Sequence, residues 1–304
     1  MTTFKKLVFI APLLVGFSLY AQNNTVVLKR AFVEKYKDRA TIDATLIVDH
    51  AHKTPNAPAK DGDMHVAGRA QKEVGLPMVA EVMNAAQKGQ TSAVTEIHAV
   101  EGKNSAVPVT GAWRFWFEHP AKKQVQFDTV PVPGNTNPDH SFEIHPIAKF
   151  DTNSVAGSFQ NVPGFTPYEA EKAFSYYENL KVTVAATPSA VTISAAKAQY
   201  NYTQFKMTLA GTPKKLADGG YAVLANVDGV ADEVVASNVR MIFVPGTPPL
   251  QQLVSKNLGD GDAMHVIGIP RINLSAISSQ VAASGSTPVS RKLPYEMIVV
   301  AVLK

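Results

Sequence analysis

The sequence predicts a mainly β protein: a five-stranded barrel, a linker helix, and then a second all-β domain. The second domain reads either as a divergent repeat of the first or as an independent fold. Three observations carry this expectation. Short runs with a two-residue apolar period recur along most of the chain. One helix-like run falls between the third and fourth early strand candidates. Gly-containing turn signals such as Asp-Gly punctuate the second half.

Residues 1–21 read as a cleavable secretory signal peptide. Lys5 and Lys6 give a basic start, residues 7–20 are apolar and uncharged, and Ala21 is the small residue at the cut. The apolar run is shorter than the roughly 20 residues that cross a bilayer as a helix. The expected compartment is therefore extracellular or periplasmic, with an uncleaved anchor as the alternative. The chain has no cysteine, so its stability must come from buried cores and not from disulfides. Removing Lys5 and Lys6 takes two positive charges and no acid from the formal +4, leaving +2. That balance does not point to a strong nucleic-acid binder, which usually concentrates its basic charge.

The first domain is expected over residues 22–150. Residues 41–48 (TIDATLIV) put Ile42, Ala44, Leu46 and Val48 on one strand face. Residues 64–67 and 77–84 (PMVAEVMN) form two further strands. Residues 91–100 form a short helix. Residues 110–119 (TGAWRFWFEH) form the strongest strand, with Trp113, Phe115 and Phe117 on one side. Arg114, Trp116 and Glu118 share the other side. Residues 142–150 (FEIHPIAKF) close the set, with Pro146 marking an edge or a bend. Three strands, a helix and two strands match an OB-like barrel.

Residues 151–180 form a linker, with a helix over 168–180 (YEAEKAFSYYENL) after Thr166-Pro167. Residues 181–304 form the second β-domain, with strands at 181–185, 191–194, 202–209, 221–227, 239–244, 264–269 and 296–303. A local echo joins the halves. DGDMHVAGR at 61–69 returns as DGDAMHVIG at 260–268, with one residue inserted. Duplication would explain it. So would two separate uses of an Asp-Gly turn before a strand.

DGDMHVAG, MVAEVMNA, TGAWRFWFEH and FEIHPIAKF together resemble an OB-like module of uncharacterised exported bacterial proteins, over residues 38–150. The resemblance implies an OB-like barrel and export. It implies no activity and assigns no site residue.

Two constellations could hold a ligand. Asp61, Asp63, His65 and Glu81 could meet a divalent cation, the one cofactor for which the sequence offers donors. His50 and His52 form a nearby HxH pair. The competing reading is a turn at Asp61-Gly62 followed by a barrel-wall histidine. The echo favours it, because the inserted residue puts Asp262 and His265 on opposite faces of a regular strand. Separately, the loops at 50–60 and 120–140 stand where OB barrels take ligands. Lys53, Lys60, Arg69, Lys122 and Lys123 would supply positive charge there, and Trp116 a stacking surface.

Glu143 and His145 share a strand face as an acid–base pair, but no catalytic residue is assigned. The chain has no cysteine, no Gly-x-Ser-x-Gly elbow, and no phosphate-loop or dinucleotide fingerprint. The leading expectation is a binding module for an oligomeric ligand or an envelope protein. A metal-dependent hydrolase and a structural envelope component are the alternatives.

Overall fold

The computed structural model describes residues 24–127, 129–229 and 232–303. The expected signal peptide lies outside them. The chain opens with β1 (Asn24–Lys29) and α1 (Arg30–Tyr36). The first barrel runs through β2 (Thr41–Ala51), β3 (Met64–Arg69), β4 (Met78–Val82), α2 (Thr91–Val100) and β5 (Ala106–His119). After the short β6 (Lys123–Val125) it ends with β7 (His140–Phe150). The connection holds β8 (Asn153–Ser154), β9 (Tyr168–Glu169) and α3 (Ala170–Asn179). Next come β10 (Lys181–Ala186) and β11 (Ala190–Ala195). The second barrel uses β12 (Thr203–Leu209), β14 (Tyr221–Asp228), β15 (Val234–Phe243), β16 (Ala263–Ile272) and β18 (Tyr295–Val302). Between these lie β13 (Lys214–Lys215), α4 (Pro248–Ser255), α5 (Leu274–Ser284) and β17 (Val289–Lys292).

Both barrels close in the same way. In the first, β2 pairs antiparallel with β3 and β5, β3 with β4, and β5 with β7. A parallel pairing of β4 with β7 completes the ring. In the second, β12 pairs antiparallel with β14 and β16, β14 with β15, and β16 with β18. The parallel pairing of β15 with β18 closes it. In each ring the third and fifth strands run parallel, and a helix (α2 or α4) joins the third strand to the fourth. The architecture is mainly β, with two closed OB-like barrels.

The echo does not mark this repeat. Its first copy leads into β3, a second strand, and its second copy into β16, a fourth strand. What the two copies share is the turn: Gly62 and Gly261 have φ of +74° and +83°, backbone that an L side chain rarely adopts. The repeat has a different signature. Gly111-Ala112-Trp113-Arg114 on β5 stands in the place of Gly268-Ile269-Pro270-Arg271 on β16. Arg114 lies opposite Glu143 of β7, and Arg271 opposite Glu296 of β18.

The apolar alternation read from β5 is correct on one face: Trp113, Phe115 and Phe117 have no exposed surface. On the other face Arg114 and Trp116 are buried as well, where the second barrel and α3 pack against them, while Glu118 is half-buried. A second apolar cluster fills the junction between barrels, including Met83, Ala112, Phe159, Ile242, Ile267 and Ile298. A third sheet, ordered β17-β10-β11-β1-β6, ties strands from both ends of the chain to its middle. Residues 181–195 belong to this sheet and not to the second ring.

Two buried arginines fasten the junction reciprocally. Arg114 Nε donates to Pro270 O at 3.1 Å, and Arg271 Nη1 donates to Trp113 O at 2.9 Å. Each arginine thus holds the carbonyl of the residue preceding the other. This is the pattern of a two-fold contact, built here within one chain. Arg271 also donates to Ala40 O and Arg39 O, and its Nε lies 2.6 Å from Glu296 Oε1. Its guanidinium stacks 3.5 Å from the Trp113 ring centroid. Removing one partner of such a buried pair leaves the other charge stranded. Arg271→Met is therefore expected to cost about 3–5 kcal/mol. Urea unfolding of the two proteins measures it, and a cost below ~1 kcal/mol would show that the clasp contributes little.

Candidate functional site

Opposite the Arg271 clasp, the Arg114 pair continues into a buried polar cluster. Arg114 Nη1 donates to Glu143 Oε2 at 2.5 Å, and Nη2 to Glu118 Oε2 at 2.7 Å. The parallel pairing of β4 with β7 then matters. It sets Val79 beside Glu143 and Ala80 beside Ile144, so Glu81 and His145 follow side by side. His145 Nε2 lies 3.7 Å from Glu81 Oε2 and 3.2 Å from Asp63 Oδ2. From the second barrel, the Tyr202 hydroxyl lies 2.8 Å from His145 Nε2 and donates to Asp63 Oδ2. Asp63 and His145 have no exposed surface, and Glu81 is 6% exposed.

The charges do not balance locally, and the protonation equilibria reflect it. Burial pushes Glu81 up to about 8 and raises Asp63, despite the neighbouring His145. Burial opposes the His145 imidazolium, but Glu81, Asp63 and Glu143 together lift its pKa well above the ordinary value. Burial also works against the Glu143 carboxylate. Arg114, His140 and His145 outweigh it and hold Glu143 well below the usual range.

Of the four residues expected to meet a cation, the structure brings Asp63 and Glu81 together. His65 stands beside them, its Nε2 3.4 Å from Glu81 Oε2. His52 stacks on His65 with ring centroids 4.6 Å apart. Asp61 serves the turn instead: its Oδ1 accepts from Asp63 N at 3.0 Å and from Asn56 Nδ2 at 2.9 Å. His145 takes its place in the cluster. The sequence had flagged His145 only as a partner of Glu143, and their Nδ1–Oε2 distance is 3.4 Å. Tyr202 carried no sequence signal, because it reaches the cluster across the junction.

The residues expected to bind a ligand do not converge. Trp116 is a correction: it is 2% exposed and packs edge-on against Tyr177 of α3, so it offers no stacking surface. Lys53 and Lys60 are exposed on the loop between β2 and β3, while Lys122 and Lys123 lie at the β6 edge of the third sheet. Arg69 lines a groove of about 660 Å³ with Lys72 and Phe127. Its charge is already spent there, because Nε and Nη2 bind the two oxygens of Asp49 at 2.8 and 2.9 Å.

The usual OB ligand face, on the second and third strands, differs sharply between the barrels. In the first it is largely covered. Val79, Glu81 and Met83 are buried, and Phe159 and Val162 from the connection join Met83 in the junction core. In the second it is open. The loop between β12 and β14, with β14 and β15 themselves, frames a groove of about 550 Å³. Lys214, Lys215, Leu216, Leu224 and Arg240 line it, and Asp38 is the one acid among the described lining residues. Lys214 and Lys215 are exposed, and Leu224 is 43% exposed. Arg240 is pinned by Glu296 at 2.7 Å and Lys37 O at 3.2 Å.

No protein-family model matches the chain, and no curated protein matches it. Among solved structures, a deletion mutant of the single-stranded DNA binding protein from Thermus aquaticus is similar over 87% of this chain and 92% of its own, at 8% identity and a TM-score of 0.21. A likeness this slight carries no argument. The OB-like assignment rests on the strand order and pairing of the two barrels. No helix among the described residues is long and apolar enough to cross a membrane.

The cluster's margin gives a pH signature. Burial alone would lower the His140 pKa, but its bond to Glu143, 3.1 Å from Nε2 to Oε1, raises it above 6.5. A raised histidine stabilises the fold below its unfolded pKa, and that gain is lost as pH rises through the folded value. His140→Gln should therefore destabilise the protein more at about pH 5.5 than at about pH 8.5, by roughly 1–2 kcal/mol. Denaturant melts across that range test this. An equal cost at both ends would rule out the charged pair.

Proposed function

We propose that this protein is an exported binding module that holds an extended anionic ligand in the groove of its second barrel. The observation that carries the reading is the contrast between the barrels. One OB ligand face is buried in the junction, and the other stands open with the exposed Lys214 and Lys215 beside Arg240, whose charge is met by Glu296 and Asp38. Export is supported by the composition of residues 1–21 alone.

The lining favours charge recognition with an apolar contact. Lys214 and Lys215 can follow a chain of negative groups, and Leu224 gives an exposed aliphatic surface beside them. Arg240, held in place by Glu296, is a pre-oriented donor. Among the described residues no aromatic ring lines this groove, so base stacking, which usually drives sequence-tolerant binding of single strands, finds no platform on them. An acidic oligosaccharide suits such a surface better than a nucleic acid. The hydrolase alternative finds little support in the junction cluster, because Asp63 and His145 expose nothing to a substrate.

Fluorescence anisotropy with a sulfated oligosaccharide and with a single-stranded oligonucleotide tests the proposal. The folded mature protein is expected to bind the oligosaccharide more tightly, with affinity falling as salt rises. Lys214→Ala/Lys215→Ala should weaken binding about 10-fold or more and flatten the salt dependence. The stability of this variant should stay within ~0.5 kcal/mol of the parent, since both side chains are exposed. Binding that the double variant leaves untouched would move the site elsewhere. Binding of neither probe would overturn the reading.

A further inference from the structure

We infer that His145, Asp63 and Glu81 form a closed structural site for a divalent cation of the zinc class, seated where the two barrels meet. This goes beyond the groove and stands on separate residues. The donor atoms of these three side chains all lie within 4.8 Å of one another. A tetrahedron of zinc-to-nitrogen and zinc-to-oxygen bonds spaces its donors ~3.3 Å apart. The distances from His145 Nε2 to Asp63 Oδ2 and Glu81 Oε2 are 3.2 and 3.7 Å. Small side-chain adjustments would bring all three onto one ion.

A second observation points to a ligand. Asp63 Oδ1 has no hydrogen-bond partner, although the side chain is fully buried. A buried carboxylate oxygen left unpaired is costly. A cation coordinated by Asp63 through both oxygens would satisfy Oδ1, which itself becomes the fourth donor. Charge agrees once the ion has displaced the protons its ligands carry without it: two carboxylates and a neutral imidazole then compensate a doubly charged ion.

The surroundings match what orients metal ligands. A ligating histidine usually presents its other nitrogen to a carboxylate. His145 Nδ1 lies 3.4 Å from Glu143 Oε2, an ion-pair contact that falls short of a hydrogen bond, and Arg114 fixes Glu143 in turn. Tyr202 donates to Asp63 Oδ2 and so steadies the second carboxylate. His65 approaches Glu81 from the outer side. All three ligands come from the first barrel, whereas Tyr202 comes from the second. An ion held here would strengthen the junction, the role that disulfides fill in other small cores. With Asp63 and His145 fully buried and Glu81 only 6% exposed, the site is structural and not catalytic.

The full chain, purified without chelator, is the test. Elemental analysis is expected to find one zinc-class ion per chain. Stripping the ion should lower the melting temperature, and readdition should restore it. Replacement by cobalt(II) should give the intense visible bands of a four-coordinate site. His145→Ala and Glu81→Gln, if folded by circular dichroism, should lose those bands. X-ray absorption on the unmutated zinc form is expected to show one imidazole among short nitrogen and oxygen ligands, which keeps the test sound should the variants fail to fold. Absence of both bound ion and cobalt bands in folded protein would overturn the inference. So would bands that survive in either folded variant, or an absorption spectrum without imidazole. The groove proposal is read by oligosaccharide binding, so either can fail without the other.

Discussion

The rest of the structure depends on the reciprocal clasp of Arg114 and Arg271. Two guanidinium groups with no exposed surface are costly to bury; Arg114 is tolerated because two glutamates and the Pro270 carbonyl surround it, and Arg271 because Glu296 and three backbone carbonyls do. Those carbonyls belong partly to the other barrel. Neither arginine could keep its full set of partners if the barrels separated. Separation would also expose an apolar cluster that includes Ile242, Ile267, Ile298 and Met83. Apolar burial supplies the attraction, and the directional hydrogen bonds fix the relative orientation.

That docking divides the two barrels chemically. The closure that places Glu143 opposite Arg114 places Glu296 opposite Arg271, yet the surroundings diverge two residues later. His145 follows Glu143, whereas Ile298 follows Glu296. On the first barrel the polar chain therefore runs inward through His145 to Asp63, Glu81 and Tyr202. On the second it runs outward, from Glu296 to Arg240 and the groove. The first barrel's ligand face is covered by docking, and the second keeps its own.

Much of the fold was legible because strand alternation is local. The run at 91–100 coincides with α2, and the early strand candidates coincide with β2, β3, β4, β5 and β7 to within a few residues. The third sheet was not legible. Its strands β1, β6 and β17 are short and find partners far away in sequence, which alternation cannot reveal. α4 did carry a readable start, Thr247 before Pro248-Pro249, but turn signals on either side masked it. For the cluster, residue types at Asp63, Glu81, Glu143 and His145 were visible. Their meeting needed the parallel β4–β7 pairing that closes the ring. Trp116 failed for a related reason: its face was assigned correctly, but alternation cannot tell a solvent face from one covered by α3.

The echo and the true repeat show why similarity of letters is a weak guide to similarity of place. DGDMHV and DGDAMHV look alike because a turn needing a left-handed glycine has few solutions, and a strand follows in both cases. The repeat that does align, Gly-x-x-Arg on the fourth strand opposite Glu on the fifth, shares few letters, but each has a physical duty. Gly111 and Gly268 lie at register shifts, and a Cβ there would press within 3 Å of Ile144 and Phe205 respectively. The arginine and the glutamate must then stay paired, because both are buried. Each of these positions is fixed by what packs against it. The intervening residues are free to differ, which lets one barrel gather a buried histidine–carboxylate cluster while its partner presents a cationic groove.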